Sequence, residues 1–340
     1  KPFRNKVVVT KKIVLVFSIL GIITFFLAGT LLSKGIVSSP NNIPNIPYTS
    51  LGNKIEEKGA VCEAAVNAKI SEAFSYCYFG SLGSEKSVLL YGDSHSASIS
   101  YALDKEFKKK NIKGIWLRGI LSNGFFCEST LFTIDRLDPN RKFLTGCSGS
   151  FIQAMNYFKD ANNLIIINRW TMKYFPVEGY IDSPLFYNDF LGCREMDLPY
   201  RAYIPISSEG LKDNNFNNKR DSILNFLSLL PIDKNNILIY PIPEIGCDIY
   251  RLNLRHYETN GKLIDKLTFP VSEYDVRNSF VINIFDNFIL NNGSSHIRPI
   301  RVRPIFCNSG VKDDCSIVTK SNPLYLDDDH ISDFGAYLIV

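Results

Sequence analysis

Two short segments near opposite ends of the chain carry the residue types of a serine nucleophile and its base. The first, Tyr91–Ser96, reads YGDSHS, and the second, Tyr325–Ala336, reads YLDDDHISDFGA. A serine hydroxyl is a weak nucleophile at neutral pH and needs a base within hydrogen-bond reach. We expect Asp327 to hold the imidazole of His330 in one tautomer and His330 to accept the proton of Ser94.

The acidic run before His330 leaves two alternatives for the acid. Asp328 and Asp329 could each replace Asp327, but a carboxylate at a neighbouring position reaches the distal imidazole nitrogen poorly. The spacing of three residues therefore favours Asp327. His95, next to the serine, is expected to cap the helix start or to line the pocket rather than to take part in catalysis.

Short apolar runs bounded by turn residues alternate with amphipathic stretches after residue 86. The runs predicted as strands are Ser87–Tyr91, Gly114–Leu117, Leu164–Ile167, Ile237–Tyr240 and Pro299–Ile305. The stretches with helical spacing are Ala97–Lys110, Ser150–Lys159 and Asp221–Leu230. Because the central runs lack polar alternation, we expect strands buried on both faces in a mostly parallel sheet. The succession predicts an α/β fold with three layers, in which helices cover both sides of the sheet.

The predicted strands place both candidate segments at one edge of the sheet. Ser94 directly follows a buried strand and precedes a helix, whereas His330 follows the last predicted strand. Ligands bind outside the carboxyl ends of the strands in such folds. Unpaired N–H groups at a helix start can also receive a developing oxyanion. We therefore expect the two segments to meet, although more than two hundred residues separate them.

The composition argues against a nucleic-acid-binding protein. The chain has 340 residues, of which 45% are hydrophobic and 21% charged, with a formal net charge of +4. It is long enough for one large domain or two ordinary ones. Lysine and arginine are scattered, and the run Lys108–Lys110 is interpreted as the solvated end of a helix. A nucleic-acid interface would concentrate such residues, with aromatics, on one face.

The segment Ile13–Ser33 is long and apolar enough to cross a membrane. It has 21 residues without a formal charge, and a helix needs about 20 to span a hydrocarbon core. A cleaved secretion signal and a buried core helix are the alternatives. Five basic residues precede it and only Lys34 follows closely. The positive-inside rule then predicts residues 1–12 as cytoplasmic, 13–33 as the transmembrane helix, 34–85 as an exported linker and extension, and 86–340 as the catalytic domain.

Three further segments are predicted to lie outside the regular core. Gly35–Leu51 contains three prolines among Asn and Ser and is typical of an extended tether. Residues 55–75 are predicted to form a short helical or irregular cap. Lys173–Asn218, rich in Asn, Pro and aromatics, is interpreted as a long insertion that carries Cys193.

The cysteines favour an oxidising compartment. Eight are present, all after the predicted membrane segment and none in a CxxC pair. Eight cysteines allow 105 connectivities, so the sequence does not fix their pairing. Cys62 with Cys77 and Cys307 with Cys315 are the local pairs we expect. A zinc site is the alternative, but the spacing does not match zinc ligands, and we expect no metal.

Together the two chemical segments resemble the SGNH (GDSL-like) superfamily, in which GDSHS follows a strand and a D-x-x-H-[IL]-S-x-x-G-A motif lies near the end. The chain is most similar to SGNH domains fused to acyltransferase-3 membrane proteins. Lys1–Arg4 resembles the E-x-P-F-R stretch of those proteins, and the membrane segment, the proline-rich linker and the two cysteine pairs also fit. The resemblance covers essentially the whole chain. It implies an SGNH-hydrolase-like (flavodoxin-like) sheet and an upstream membrane domain that takes acyl groups from cytoplasmic acetyl-CoA, with no cofactor bound in this domain.

The resemblance also implies an oxyanion hole built from the nucleophile's own N–H, a glycine and an asparagine. Gly124 is the candidate glycine, with Gly119 as its rival, and Asn168 is the candidate asparagine. The G-x-N-D block of simple GDSL esterases is absent, so Asn168 could instead be a polar strand-end residue. Arg169 and Trp170 could contact a sugar ring, and core and surface packing is the alternative for both.

The resemblance implies transfer of an O-acyl group, expected to be acetyl, to a surface polysaccharide such as O-antigen. A membrane-tethered carbohydrate acetyl esterase is one alternative, and a non-catalytic glycan-binding module is another. The implied setting is a bacterial inner membrane, with residues 34–340 in the periplasm. The implied partners are the acyltransferase-3 domain, the membrane and a glycan acceptor.

Overall fold

The computed structural model describes ten segments of the chain, all within one compact unit, Pro47–Val340. They are residues 64–70, 74–119, 121–122, 125–126, 145–171, 178–179, 202–203, 214–292, 295–307 and 313–340. The predicted membrane segment, the tether and most of the predicted insertion lie outside these residues. Within them, no helix combines the length and apolar character that a membrane crossing requires.

The described strands and helices alternate along the chain from residue 87 onward. The strands are β1 Ala64–Lys69, β2 Phe74–Gly80, β3 Ser87–Gly92, β4 Lys113–Gly119, β5 Leu121–Ser122, β6 Phe125–Phe126, β7 Asn163–Ile167, β8 Glu178–Gly179, β9 Ala202–Tyr203, β10 Asn235–Ile239, β11 Lys266–Pro270, β12 Ile297–Ile300, β13 Asp314–Thr319 and β14 Asn322–Pro323. The helices are α1 Ser94–Lys110, α2 Thr145–Tyr157, α3 Asn214–Ser228, α4 Ile249–Asn260, α5 Val271–Asn291, α6 Arg303–Phe306 and α7 Asp333–Ile339.

The main sheet has seven strands in the order β1-β2-β4-β3-β7-β10-β12. From β4 to β12 all neighbours are parallel, whereas β2 is antiparallel to β4 and β1 is antiparallel to β2. The predicted mostly parallel α/β sheet is therefore confirmed.

The strand order places helices on both faces of the sheet. The connection from β3 to β4 through α1 runs toward one edge, and the later connections through α3 and α5 run toward the other. Because such crossovers are right-handed, this reversal puts α1 on the face opposite α3 and α5. Helix α7 packs on α1, and α3 packs on α5. The reversal occurs between β3 and β7, and a crevice forms at the carboxyl ends of strands at such a point.

Four of the five predicted strands match observed strands, namely β3, β4, β7 and β10. The fifth prediction, Pro299–Ile305, is wrong in its second half, because β12 ends at Ile300 and α6 begins at Arg303. Proline is compatible with both elements: Pro299 lies on an edge strand, and Pro304 lies in the first turn of α6.

The predicted cap over residues 55–75 is wrong where the structure describes it. Residues 64–69 and 74–80 form β1 and β2, and β2 pairs with β4 along its whole length, from Phe74 opposite Gly119 to Gly80 opposite Lys113. The sheet thus extends upstream of residue 86, where the sequence predicted a linker and extension. Local sequence did not reveal these strands because their hydrogen-bonding partners are other strands: β2 pairs with β4, which follows 33 or more residues later in the chain, and β1 pairs with β2.

A cluster of aromatic side chains forms the core beneath the carboxyl edge of the sheet. Tyr91 at the end of β3 packs on Phe151 of α2, with ring centroids 5.0 Å apart. Phe226 of α3 contacts Trp170, whose indole also packs edge-on against Phe285 of α5 at 5.0 Å. All five side chains are fully buried. This cluster fixes the ends of β3 and β7, from which the candidate site residues project.

A small antiparallel sheet, β11-β13-β14, leads into the second chemical segment. The predicted disulfide between Cys307 and Cys315 is present and joins the end of α6 to β13. Cys77 and Cys247 are also disulfide-bonded. Cys62, the partner predicted for Cys77, lies outside the described residues. None of the described cysteines is free.

Candidate active site

The turn between β3 and α1 is held by Asp93, which caps the helix. One oxygen of its carboxylate accepts the backbone N–H of His95 at 3.0 Å, and the other accepts the backbone N–H of Arg169 at 2.9 Å. The N–H of Asp93 donates in turn to Oδ1 of Asn168 at 3.1 Å. Asp93 therefore ties the start of α1 to the end of β7 and fixes the direction in which Ser94 projects.

Ser94 is the first residue of the 17-residue helix α1, and it is exposed. Neither its hydroxyl nor its backbone N–H makes a hydrogen bond with another described residue, His330 included. A helix start carries partial positive charge and unsatisfied N–H groups. The backbone N–H of Ser94 is thus available to an oxyanion that forms on a group attacked by its hydroxyl.

His330 lies in a tight loop between β14 and α7. The N–H of Leu326 donates to the carbonyl of His330 at 2.7 Å, and the N–H of Ser332 donates to the carbonyl of Leu324 at 2.9 Å. Within the loop, Oδ1 of Asp327 accepts the backbone N–H of His330 at 2.8 Å and that of Asp329 at 3.0 Å. The Asp327 carboxylate therefore shapes the loop as well as facing the imidazole.

The other oxygen of Asp327 holds the imidazole itself. Oδ2 lies 2.8 Å from Nδ1 of His330, and Oδ1 of Asp329 lies 3.2 Å from the same nitrogen. Ionised carboxylates only accept hydrogen bonds, so in the neutral imidazole Nδ1 carries the proton and Nε2 is the basic nitrogen. This is the tautomer that a general base acting on a serine requires.

The two carboxylates shift the acid–base balance of the imidazole. Burial disfavours the charged form, but the hydrogen bonds and charges of Asp327 and Asp329 outweigh it and raise the pKa of His330 to about 10. Burial likewise opposes ionisation of Asp327, yet the hydrogen bond from His330 lowers the pKa of its carboxyl. In Asp329, hydrogen bonds from His330 and His95 overcome the burial and hold the pKa well below its usual range.

The serine turn and the histidine loop are joined by His95. Its Nε2 lies 3.2 Å from Oδ2 of Asp329, across 234 positions of the chain, and its ring packs edge-on against that of His330 with centroids 5.3 Å apart. His95 is 1% exposed. Because His95 directly follows Ser94 in α1, these contacts bring the histidine loop to the start of the nucleophile helix.

The residues proposed for the oxyanion hole are only partly described. Gly124 lies outside the described residues, and its rival Gly119 is the last residue of β4. Asn168 follows β7, as expected, but it is fully buried and its Oδ1 accepts the N–H of Asp93. Through this hydrogen bond Asn168 supports the turn between β3 and α1 that carries Ser94.

The two candidate sugar-binding residues are buried. Trp170 is fully buried in the aromatic core and donates its indole N–H to the carbonyl of Ile239 at 2.8 Å. Arg169 is 7% exposed, and its Nε lies 3.0 Å from Glu244 and 2.9 Å from Asp329. Trp170 thus has the core position that was the alternative to sugar contact, and the Arg169 guanidinium is engaged by internal carboxylates.

Several residues that support the site were missed by sequence reasoning. Glu244, in the loop after β10, accepts from Arg169 and from Arg277 of α5. In the same loop, the N–H groups of Ile245 and Gly246 donate to the carbonyl of Asp328 at 2.8 and 3.1 Å. No local pattern marks these contacts. The one available signal in the sequence was the position of Asp329 directly before His330. We considered whether Asp329 could reach the distal nitrogen of the imidazole, whereas in the structure it contacts Nδ1.

Three side chains at the site have a composition that suits a metal ion. The ligand atoms of His95, Asp329 and His330 lie within 4.8 Å of one another. However, the guanidinium of Arg169 already lies 2.9 Å from the Asp329 carboxylate, and a cation would have to displace it. The geometry fits an ion-paired cluster better than a metal centre.

The described residues thus combine an exposed serine at a helix start with a nearby histidine held by carboxylates. Such a set can activate a hydroxyl, stabilise an oxyanion and form an ester on the serine, which is acyl-transfer chemistry.

Comparison with known proteins identifies the family to which the chain belongs. The family model described as "SGNH domain (fused to AT3 domains)" matches residues 61–340. Among solved structures, the chain is similar to the periplasmic domain of a lipopolysaccharide acetyltransferase from Salmonella ser. Paratyphi A, with 12% identity over 76% of this chain and 81% of that one, and a TM-score of 0.40. No curated protein sequence matches the chain.

Proposed function

The chain belongs to the family of SGNH domains described as fused to AT3 domains, and on this premise we propose that it is an O-acyltransferase that places an acetyl group on a cell-surface polysaccharide. One observation carries the proposal: Nδ1 of His330 is held 2.8 Å from Asp327 in a loop that meets the start of the Ser94 helix. The proposed triad is Ser94, His330 and Asp327.

In the first half-reaction Ser94 takes the acetyl group from its donor. The hydroxyl oxygen attacks the donor carbonyl carbon while Nε2 of His330 accepts the hydroxyl proton. A C–O bond forms, and the carbonyl oxygen becomes an oxyanion beside the backbone N–H of Ser94. The intermediate then breaks its bond to the donor's leaving group, which receives the proton from His330. An acetyl ester on Ser94 remains.

In the second half-reaction a sugar hydroxyl replaces the donor. His330, neutral again, accepts the proton of the sugar hydroxyl as its oxygen attacks the acetyl carbon on Ser94. The new intermediate breaks the bond to Ser94, whose oxygen takes the proton back. The products are an O-acetylated sugar and the free serine. Asp327 stays ionised throughout and stabilises the imidazolium at each stage.

The proposed setting is extracytoplasmic and next to a membrane. Disulfides at every described cysteine favour an oxidising compartment, which for a bacterial chain is the periplasm. The apolar segment Ile13–Ser33 is proposed as the membrane anchor that precedes the domain. We propose that an acyltransferase-3 membrane domain supplies the acyl group, with cytoplasmic acetyl-CoA as its ultimate donor and no cofactor bound in this chain.

The test compares the chain with its Ser94→Ala variant. Surface polysaccharide of a host that makes either form is analysed by mass spectrometry for O-acetyl groups. We expect near-complete loss of the modification with Ser94→Ala at equal protein level. Unchanged acetylation would contradict the proposal and favour a glycan-binding module without catalytic activity.

A second candidate function, a carbohydrate acetyl esterase, is favoured by the exposure of Ser94. Water that reaches the acetyl-serine would release acetate in place of an acetylated sugar. To separate the two, the purified chain is mixed with p-nitrophenyl acetate and an oligosaccharide acceptor. Both reactions release p-nitrophenol. Acetylated oligosaccharide supports the transferase, whereas acetate as the sole acetyl-containing product supports the esterase.

A further inference from the structure

Asp329 contacts three nitrogen-bearing side chains from three different parts of the fold. Its Oδ1 lies 3.2 Å from Nδ1 of His330 in its own loop. Its Oδ2 lies 3.2 Å from Nε2 of His95 in α1 and 2.9 Å from Nε of Arg169 after β7. The Asp329 side chain is 1% exposed, whereas that of Asp327 is 40% exposed. The buried carboxylate is therefore the one at the junction of the site.

The charge of Asp329 is balanced inside the protein. A buried carboxylate is costly unless it is paired and hydrogen-bonded. Arg169 supplies the positive charge, and Arg169 is itself shared with Glu244, which also contacts Arg277. Two arginines and two carboxylates thus alternate from α5 to the histidine loop. This row of alternating charges keeps Asp329 ionised and fixes its position against the sheet.

The imidazole of His330 is consequently held from two sides. The partly exposed Asp327 lies 2.8 Å from Nδ1, and the buried Asp329 lies 3.2 Å from the same nitrogen. With Asp327 alone, the imidazole could swing about its bond to the chain while it kept one hydrogen bond. A second, immobile acceptor restricts that rotation.

We propose that Asp329 is a positioning residue of the transfer reaction: it restrains His330 beside Asp327 and, through His95, locks the histidine loop to the helix that begins at Ser94. The inference rests on the proposed function, because it concerns the same serine and histidine. It goes beyond a serine, histidine and single-aspartate triad by giving the second carboxylate a separate task.

The first test is Asp329→Asn, which keeps the shape of the side chain and removes its charge. Hydrolysis of p-nitrophenyl acetate by the full chain is measured from pH 6 upward, together with the thermal unfolding midpoint. We expect kcat to fall about 10- to 100-fold, since small misplacements of catalytic groups have effects of that size. KM should change less, because the Asp329 side chain is 1% exposed and so is not available for contact with a substrate.

The pH profile distinguishes positioning from general support of the fold. The groups that face His330 are Asp327 and Asp329 from its own loop and His95 from α1, with Arg169 behind Asp329. Asp248, the cap of α4, lies close to Asp327: burial raises the pKa of the Asp248 carboxyl, and the charge of Asp327 raises it further. Removing the charge of Asp329 is expected to move the midpoint of kcat/KM to lower pH. The control is Asp160→Asn, the same change at an exposed site before β7, which should alter neither quantity.

A second pair of variants decides the matter if Asp329→Asn does not fold. His95→Gln keeps a donor that can reach Asp329, whereas His95→Leu has a similar volume and no donor. We expect kcat of the glutamine variant to exceed that of the leucine variant several-fold. Equal kcat values in this pair, or an Asp329→Asn chain that folds with unchanged kcat and pH midpoint, would overturn the inference. Loss of activity in Ser94→Ala would in that case still uphold the proposed function.

Discussion

Gly92 and Ile167 approach each other so closely that a Cβ on Gly92 would lie 1.7 Å from the carbonyl oxygen of Ile167. The two residues are register partners where β3 and β7 end. Gly92 lies two residues before Ser94, and Ile167 lies directly before Asn168. A backbone carbonyl within the sheet cannot move aside as a flexible side chain can. The glycine is therefore required for the two strands to meet at the site.

We predict that Gly92→Ala disrupts both the fold and the activity. Overpacking typically costs about 1–3 kcal/mol and occasionally more, and a clash with backbone should lie at the upper end. Thermal unfolding and p-nitrophenyl acetate hydrolysis are the measurements. Gly83→Ala is the matched control, because nothing lies within 4 Å of a Cβ there. Equal unfolding midpoints for the two variants would show that the close approach is unimportant.

The activity is predicted to rise with pH beyond the range of an ordinary histidine. The base form of His330 is neutral, and the neighbouring carboxylates raise the pKa of its imidazole to about 10. The midpoint of kcat/KM should thus lie above about 6.5, the usual histidine value. The Ser94→Ala rate is subtracted at each pH to remove spontaneous hydrolysis. A profile that is already flat from neutral pH upward would contradict the prediction.

The same shift predicts a pH dependence of stability. Because the pKa of His330 is raised on folding, its ion pair with Asp327 contributes fully below about pH 6.5. The contribution is lost as the pH rises through the folded pKa of about 10. Urea unfolding of wild type and His330→Gln measures it. The free-energy difference between them should shrink across this interval, and a constant difference would argue against the shift.

Lys234 is predicted to be a purely structural residue. It lies directly before β10, at the amino ends of the parallel strands and thus at the end of the sheet opposite the site. Its side chain is 3% exposed, and its ammonium donates to the carbonyls of Phe158, Lys159 and Ala161 at 3.1, 3.0 and 2.6 Å. Lys234→Met would leave these carbonyls without their donor. An unsatisfied buried group costs about 1–3 kcal/mol, so we expect a loss of about 3 kcal/mol in unfolding free energy.

The measurement for Lys234→Met is urea unfolding, with Lys159→Met as control, because the Lys159 side chain is exposed. The control should differ from wild type by less than about 0.5 kcal/mol. The p-nitrophenyl acetate rate per folded molecule should be unchanged in both variants. A Lys234→Met chain as stable as the control would refute the structural assignment.

The Cys307–Cys315 disulfide is predicted to stabilise the approach to the histidine loop. It closes a loop with a sequence separation of 8, and a short loop of this kind contributes about 2–3 kcal/mol in the chain-entropy account. The double variant Cys307→Ala, Cys315→Ala should unfold at lower temperature under oxidising conditions. Under full reduction most of its difference from wild type should disappear, since the cross-link is then absent from both. A difference that persists unchanged would point to packing of the sulfur atoms.

The sequence by itself determined the elements that depend on local patterns. Buried apolar runs gave four parallel strands, because burial on both faces selects such runs. The spacing of Asp327 and His330 allowed their hydrogen bond, since residues this close in a tight loop reach each other whatever surrounds them. The position of Ser94 between a strand and a helix followed from the same patterns.

The tertiary structure alone decided which distant groups these residues meet. Strand β2 joins the sheet along β4, and β1 then pairs with β2. No local pattern in the sequence marks the edge of β4 that β2 occupies. Trp170 is in the core, and Arg169 faces Glu244 and Asp329, because strands and loops far apart in the chain close around them. A buried charge pairs with whichever opposite charge the fold brings next to it, and that partner can lie anywhere in the chain. Sequence spacing predicts only contacts between residues a few positions apart.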